Sequence, residues 1–157
     1  MVCTGNICRS PMAEVILRAM LERGGVSGVE VTSSGTGGWH VGDGADPRTV
    51  AALARHGYDG SAHVASQFDA SGFALVDLVL AADHGHVREL RRFARRSEDA
   101  DKVRLLREFD PAAVAAGTLE VDDPWYGGTA DFERCLTEVE AACRGLMSYL
   151  SDAAGTA

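Results

Sequence analysis

The sequence predicts an α/β fold built on a parallel sheet, and three observations carry that reading. Short apolar segments of strand length alternate with segments of helical period along the whole chain. Residues 76–82 (VDLVLAA) are almost continuously apolar, the pattern of a strand buried on both faces. Near the end, Phe132, Leu136, Val139, Cys143, Leu146 and Leu150 recur at alternating spacings of four and three, which is one buried helical stripe.

The elements follow in order. Residues 12–23 (MAEVILRAMLER) place Val15, Ile16, Ala19 and Met20 at helical spacing, and Gly24-Gly25 ends the helix. Residues 29–32 have the composition of a short strand. Asp46-Pro47 opens a second helix, with aspartate as cap and proline at the first position, running to about His56 before Gly57. Strand 76–82 is followed by a helix over 84–95, a strand over 103–106 and a final helix over 130–150. Cys143 lies within the buried stripe and reads as a small core residue.

Bulk properties narrow the function. A chain of 157 residues, 46% apolar and 24% charged, is expected to form one soluble domain over residues 1–157. No run approaches the ~20 apolar residues that span a bilayer. No basic flank leads into an apolar stretch at the start, so the expected location is the cytoplasm. Cys3, Cys8, Cys135 and Cys143 form no C-x-x-C pair and are expected to stay reduced. His84 and His86 are the nearest histidine pair, and no metal and no cofactor are expected. A net charge of −8 argues against nucleic-acid or acidic-membrane partners. One basic run stands out, Arg88, Arg91, Arg92, Arg95 and Arg96, which reads as a solvated helix face or as a docking surface for an acidic partner.

The chemistry concentrates in Cys3-Thr4-Gly5-Asn6-Ile7-Cys8-Arg9-Ser10-Pro11, which runs straight into the first helix. Hydrolysis of a phosphate monoester through a covalent intermediate needs an ionised nucleophile, donors for three equatorial oxygens and an acid for the leaving oxygen. A loop wrapped around a helix N-terminus presents backbone N–H groups and the positive end of the helix dipole. The same groups favour the thiolate form of a cysteine at the head of the loop. Arg9 offers a planar fork that matches two phosphate oxygens. Gly5 permits tight backbone, Asn6 tolerates positive φ, and the Ser10 hydroxyl is placed to donate to the sulfur.

Cysteine followed six residues later by arginine is a weak signal alone. The whole string through Glu14, however, resembles the signature C-x-G-N-x-C-R-S-P of the low-molecular-weight protein-tyrosine phosphatases, and the resemblance extends over nearly the whole chain. It implies a three-layer α/β sandwich around a four-stranded parallel sheet, with the first strand central and the loop growing from its end. Only Met1 and Val2 precede Cys3, so most of that strand is expected to be missing. Either natural residues precede Met1 or the loop is supported in another way.

Three of the four prolines follow aspartate. Asp46-Pro47 and Asp110-Pro111 precede helix formers and read as caps. Asp123-Pro124 precedes Trp125-Tyr126-Gly127-Gly128, where two aromatics suit a phosphoaryl substrate and the rigid proline holds a carboxyl beside them. The resemblance agrees, implying Asp123 as general acid, with Cys3 as nucleophile and Arg9 as phosphate ligand. It further implies that Thr4, Gly5, Asn6, Ile7, Cys8 and Ser10 form the phosphate-binding loop. Ser34, in Ser33-Ser34-Gly35-Thr36, and His63 are expected to support that loop through Asn6. Trp39, Trp125 and Tyr126 are expected to line the substrate cleft, and Cys8 to form a reversible disulfide with Cys3. Ser66 stands where the family commonly has arginine.

The implied activity is metal-independent hydrolysis of phosphotyrosine in proteins or peptides by a monomer. A thiol-dependent arsenate reductase shares the fold but needs relay cysteines in the middle of the chain, and residues 73–103 contain none. A protein-arginine phosphatase of this fold carries threonine where this chain has Ile7. An inactive phosphate-binding module would not need Cys3, Arg9 and Asp123 together.

Overall fold

The computed structural model describes residues 1–154. Four strands form one parallel sheet: β1 (Val2–Cys3), β2 (Ser34–Gly35), β3 (Val79–Ala81) and β4 (Val103–Leu105), in the spatial order β2-β1-β3-β4. Six α-helices connect and cover them: α1 (Arg9–Arg23), α2 (Pro47–Arg55), α3 (His84–Phe93), α4 (Ser97–Asp101), α5 (Pro111–Ala116) and α6 (Thr129–Ala154). A 3-10 turn, Ala70–Leu75, leads into β3. Among the described residues, no helix is long and apolar enough to cross a membrane.

Alternation along the strands sorts side chains into two cores. Cys3, Leu80 and Leu106 face a large core with Met12, Ile16 and Leu17 of α1. Val2, Val79, Ala81, Val103 and Leu105 face a smaller core closed by Val87 and Leu90 of α3 and by Phe73. The result is three layers, as expected for a parallel sheet covered on both faces. The stripe on α6 is inside over most of its length: Phe132, Leu136, Val139, Cys143 and Leu146 are each no more than 1% exposed, and Leu150 is partly buried. Every fully buried side chain of that size contributes about 1.5–3 kcal/mol.

The first strand is short, as the sequence indicates, yet it is central. Val2 pairs with Ser34 on one side and with Ala81 on the other. The strand expected over 29–32 does not form; the second strand is Ser34–Gly35. The ladder sets its position, pairing Val2 with Ser34 and Cys3 with Gly35. The Met1 amine donates to the Thr32 carbonyl at 2.8 Å. The helix starts read from Asp46-Pro47 and Asp110-Pro111 do form. Each aspartate carboxylate accepts the N–H two residues on, at 2.8 Å from Arg48 and 3.0 Å from Ala112.

Chain direction matters for function. From β1 the connection through α1 leads to β2 on one side, and the chain then returns across β1 to reach β3 on the other. The loops after β1 and β3 therefore diverge at a switch point, where open α/β sheets form their binding crevices.

A close approach between α6 and the turn after β4 locks the large core. A Cβ on Gly145 would lie 1.7 Å from the Phe109 carbonyl oxygen, a backbone atom with no freedom to yield. Gly145→Ala is expected to destabilise the fold by about 2 kcal/mol through overpacking. That corresponds to a melting temperature lower by roughly 4–8 °C, measured by circular dichroism; an unchanged value would contradict this packing.

Candidate active site

The nine residues from Cys3 to Pro11 form a cup at the end of β1, closed by the first turn of α1. Its carbonyl groups are tied outward. Those of Cys3 and Thr4 accept from the N–H groups of Thr36 and Gly37 at 2.9 and 3.0 Å. That of Ile7 accepts from Asp46 N–H at 2.8 Å, and that of Asn6 is 2.7 Å from His63 Nε2. The backbone N–H groups of Gly5 through Arg9 have no acceptor among the described residues. Such a set of donors at a helix start is suited to an anion.

Asn6 turns the cup. Its φ of 56° makes it the one non-glycine residue with positive φ among those described, a conformation asparagine tolerates better than most. It is fully buried and every polar group of its side chain is used. Nδ2 donates to Ser10 Oγ at 2.8 Å and to Ser33 Oγ at 2.9 Å, and Oδ1 accepts from Ser66 N–H at 2.9 Å. The support expected from Ser34 thus comes from Ser33. Ser34 is the residue paired with Val2 in the ladder, and successive residues of an extended chain face opposite sides. Ser33 also donates to Glu14, whose carboxylate lies 3.7 Å from His63 Nδ1, so His63 bridges the Asn6 carbonyl and α1. Beneath the cup, Gly35 permits close approach: a Cβ there would meet the Thr4 carbonyl oxygen at 2.6 Å.

Arg9 is 5% exposed and held on three sides. Nη1 donates to Asp83 Oδ2 at 2.9 Å and to the Val121 carbonyl at 3.1 Å, and Nη2 donates to Asp123 Oδ2 at 3.3 Å. A guanidinium has five N–H donors, so Nε–H and one Nη2–H remain, the pair that forms a fork. The Cys3 sulfur lies 3.0 Å from Ser10 Oγ. The other thiols are poor candidates for a nucleophile. Burial pushes Cys8 and Cys143 up to about 12 and raises Cys135 as well, so all three stay protonated near neutral pH. All four cysteines are free thiols.

Asp123 is half exposed, and its Oδ1 accepts the Trp125 N–H at 3.2 Å. Arg48 of α2 fastens this loop. Its Nη1 donates to the carbonyls of Trp125 and Gly127, both at 3.1 Å, while its other nitrogens bind Asp46. Of the expected cleft aromatics, Trp125 is partly covered, Trp39 is 78% exposed and Tyr126 is 97% exposed.

Sequence reading missed four residues that complete the site. Asp83, the N-cap of α3, holds Arg9 and also accepts the His86 N–H at 2.9 Å. His86 is buried, with Nε2 2.8 Å from Thr4 Oγ1 and Nδ1 3.0 Å from Asp83 Oδ1, so it links the cup to the carboxylate that fixes Arg9. His40 packs over the cup beside Trp125, with ring centroids 6.0 Å apart. Arg48 is the fourth. The local signal for Asp83 was present as Asp followed three residues later by a helical His, but nothing in sequence joins it to Arg9.

Burial acts to raise the Asp83 carboxyl, yet the His86 side chain, the His86 N–H and the Arg9 charge together hold it well below the usual carboxylate range. A depressed carboxyl stabilises the fold fully above its unfolded value, about 3.9, and the contribution is lost as pH falls toward the folded value. Asp83→Asn is therefore expected to be less stable than the native chain from neutral pH down to about pH 4, with the gap closing only below that. Urea melts at pH 7, 5, 4 and 3 read this directly, and a gap that already closes at pH 5 would contradict the assignment.

The model of the family described as low molecular weight phosphotyrosine protein phosphatase matches residues 1–154. A "Low molecular weight protein-tyrosine-phosphatase" of Streptomyces coelicolor is 60% identical over 152 residues, covering 96% of this chain and 92% of that one. The "Low molecular weight protein-tyrosine phosphatase A" of Mycobacterium tuberculosis is 43% identical over 152 residues, covering 96% and 90%. Among solved structures, a protein tyrosine phosphatase of Entamoeba histolytica with Hepes in its active site superposes with a TM-score of 0.90 at 29% identity, covering 97% of this chain and 95% of that one.

Proposed function

Because the chain belongs to the low molecular weight phosphotyrosine protein phosphatase family, we propose that it is a single-domain, monomeric enzyme that hydrolyses phosphotyrosine in proteins through a cysteinyl-phosphate. One observation carries the reading. Cys3 stands at the head of a cup whose N–H groups from Gly5 to Arg9 are unpaired among the described residues, with an arginine fork beside it.

In the first step Cys3 attacks phosphorus in line, forming the S–P bond as the bond to the phenolic oxygen breaks. Asp123 gives its proton to that oxygen and tyrosine leaves. The cup's N–H groups and the free Nε–H and Nη2–H of Arg9 bind the equatorial oxygens, whose charge changes most in the transition state. In the second step Asp123, now a carboxylate, takes a proton from water. The water oxygen bonds to phosphorus, the S–P bond breaks and inorganic phosphate is released. Ser10 Oγ, 3.0 Å from the sulfur, donates to the departing thiolate. Asp83, Val121 and His86 hold Arg9 and Thr4 in position, and Arg48 holds the loop that carries Asp123.

Two features favour phosphotyrosine over a short phosphoester. The acid loop carries Trp125 and Tyr126, and His40 packs beside Trp125 with ring centroids 6.0 Å apart. Together they form an aromatic rim suited to a phenyl ring. The arsenate reductase reading lacks a relay, since Cys135 and Cys143 are buried in the core on α6.

Turnover of phosphotyrosine and phosphoarginine peptides by the native chain, Cys3→Ser and Asp123→Asn tests the proposal. The native chain is expected to prefer phosphotyrosine, with activity unchanged by a chelator. Cys3→Ser is expected to abolish turnover. Asp123→Asn is expected to lower kcat by roughly a hundredfold or more on phenyl phosphate, and by less on p-nitrophenyl phosphate, whose leaving group needs little protonation. A Cys3→Ser protein that retains turnover, or an equal loss on both esters, would overturn the roles assigned; preference for phosphoarginine would overturn the substrate.

A further inference from the structure

The cations of this acidic chain are unevenly used. With 15 lysine and arginine residues against 23 aspartate and glutamate, most arginines have a partner to hand. Among the described residues, each arginine outside positions 88–95 has a carboxylate, carbonyl or aromatic partner. Arg88 and Arg92 have neither an ion pair nor a hydrogen bond there. Arg91 has only the Val103 carbonyl at 3.3 Å, and Arg95 only the field of Asp69. All four are exposed; Arg88 and Arg92 lie on the side of α3 away from the buried Val87 and Leu90, Arg91 follows Val87 by one helical turn, and Arg95 lies beyond the end of the helix.

This ridge begins at the active site. The N-cap of α3 is Asp83, the residue that holds Arg9. Arg88 reaches back toward it, with Arg88 Nη2 and Asp83 Oδ1 at 3.9 and 2.9 Å from one point, the place a Cβ on Gly85 would occupy. Arg92 follows about 6 Å further along the axis. Of the nearby acids, Glu120 receives the His84 N–H and Glu98 is occupied by Arg96, while Glu89 is exposed on α3 itself, one residue after Arg88 and three before Arg92. At physiological salt, charges more than about 8 Å away are largely screened, so this local ridge outweighs the net charge of −8 for a segment lying on it.

Resting on the phosphatase reading above, we propose that the Arg88–Arg92 face of α3 is a docking surface for acidic side chains, Asp or Glu, flanking the phosphotyrosine of a substrate protein. The electrostatics then select among phosphotyrosine sites: the acidic surface elsewhere disfavours anionic segments, and the ridge accepts them in one orientation.

The test compares two phosphotyrosine peptides of equal length, one with Asp and Glu around the phosphotyrosine and one with Asn and Gln in their places. Native chain and the double variant Arg88→Glu/Arg92→Glu are assayed for kcat/KM, with p-nitrophenyl phosphate as a probe too small to reach the ridge. The native chain is expected to favour the acidic peptide about five- to tenfold at low salt, less at 0.5 M salt. The variant is expected to lose or reverse that preference while turning over p-nitrophenyl phosphate at the native rate. A native chain without preference, or a variant that keeps it, overturns the docking surface. Loss of binding to phosphatidylserine vesicles with peptide preference intact would assign the ridge to a membrane instead, and also overturns it. Failure of the phosphatase reading gives a different result, no turnover of any ester. The docking surface is then still read by the binding of the two peptides, measured by fluorescence anisotropy, where equal affinities overturn it.

Discussion

The placement of Arg9 is the constraint on which the rest of the site depends. Its guanidinium leaves the first turn of α1 and meets carboxylates 74 and 114 residues further along the chain. An arginine buried to 5% exposure is tolerable only when its charge is matched and its donors are used. Asp83, Asp123 and the Val121 carbonyl supply that match, and in doing so draw together the end of β3 and the segment leading to α6. Had any of the three been placed differently, the fork would point elsewhere or remain uncompensated inside the protein.

A second network, centred on Asn6, keeps the cup open. Asn6 takes the positive φ that bends the loop, and its side chain joins Ser10, Ser33 and Ser66, which come from three separate segments. His63 and Glu14 continue the network to α1. Because the cup's carbonyls are satisfied from outside, its N–H groups are left for a ligand. The order is one of preorganisation: the donors stand in place before an anion arrives, and no backbone has to turn when charge develops. The loop is held by hydrogen bonds from β2, α2 and the 63–66 segment as much as by the strand beneath it.

The helix α3 serves both faces of this design. Its cap at Asp83 fixes Arg9, its buried His86 reaches Thr4, and its outer face carries Arg88 and Arg92, without ion pair or hydrogen bond among the described residues. Catalytic positioning and surface charge are thereby placed on one rigid element, so that a segment lying on the ridge would be oriented with respect to the cup by the helix itself.

Much of this molecule was legible in the sequence. The sheet class and the α6 stripe rest on local spacing, which fixes the face a side chain takes, while the loop from Cys3 to Pro11 and the role of Asp123 rest on residue chemistry together with the family resemblance. The three Asp-Pro pairs show where that reach ends. In each, the aspartate carboxylate accepts the N–H two residues on, from Arg48, Ala112 and Trp125. Only the tertiary structure places Arg9 at the second oxygen of Asp123 and Arg48 under its loop. The choice of Ser33 over Ser34 depended likewise on register, which a pairing with Val2 decides and the sequence of either strand does not. The links from Asp83 to Arg9 and from His86 to Thr4 escaped sequence reading for the same reason. Sequence determines what each residue can donate, accept and bend around, whereas partners 74 or 82 residues apart are assigned only when the sheet brings their strands side by side.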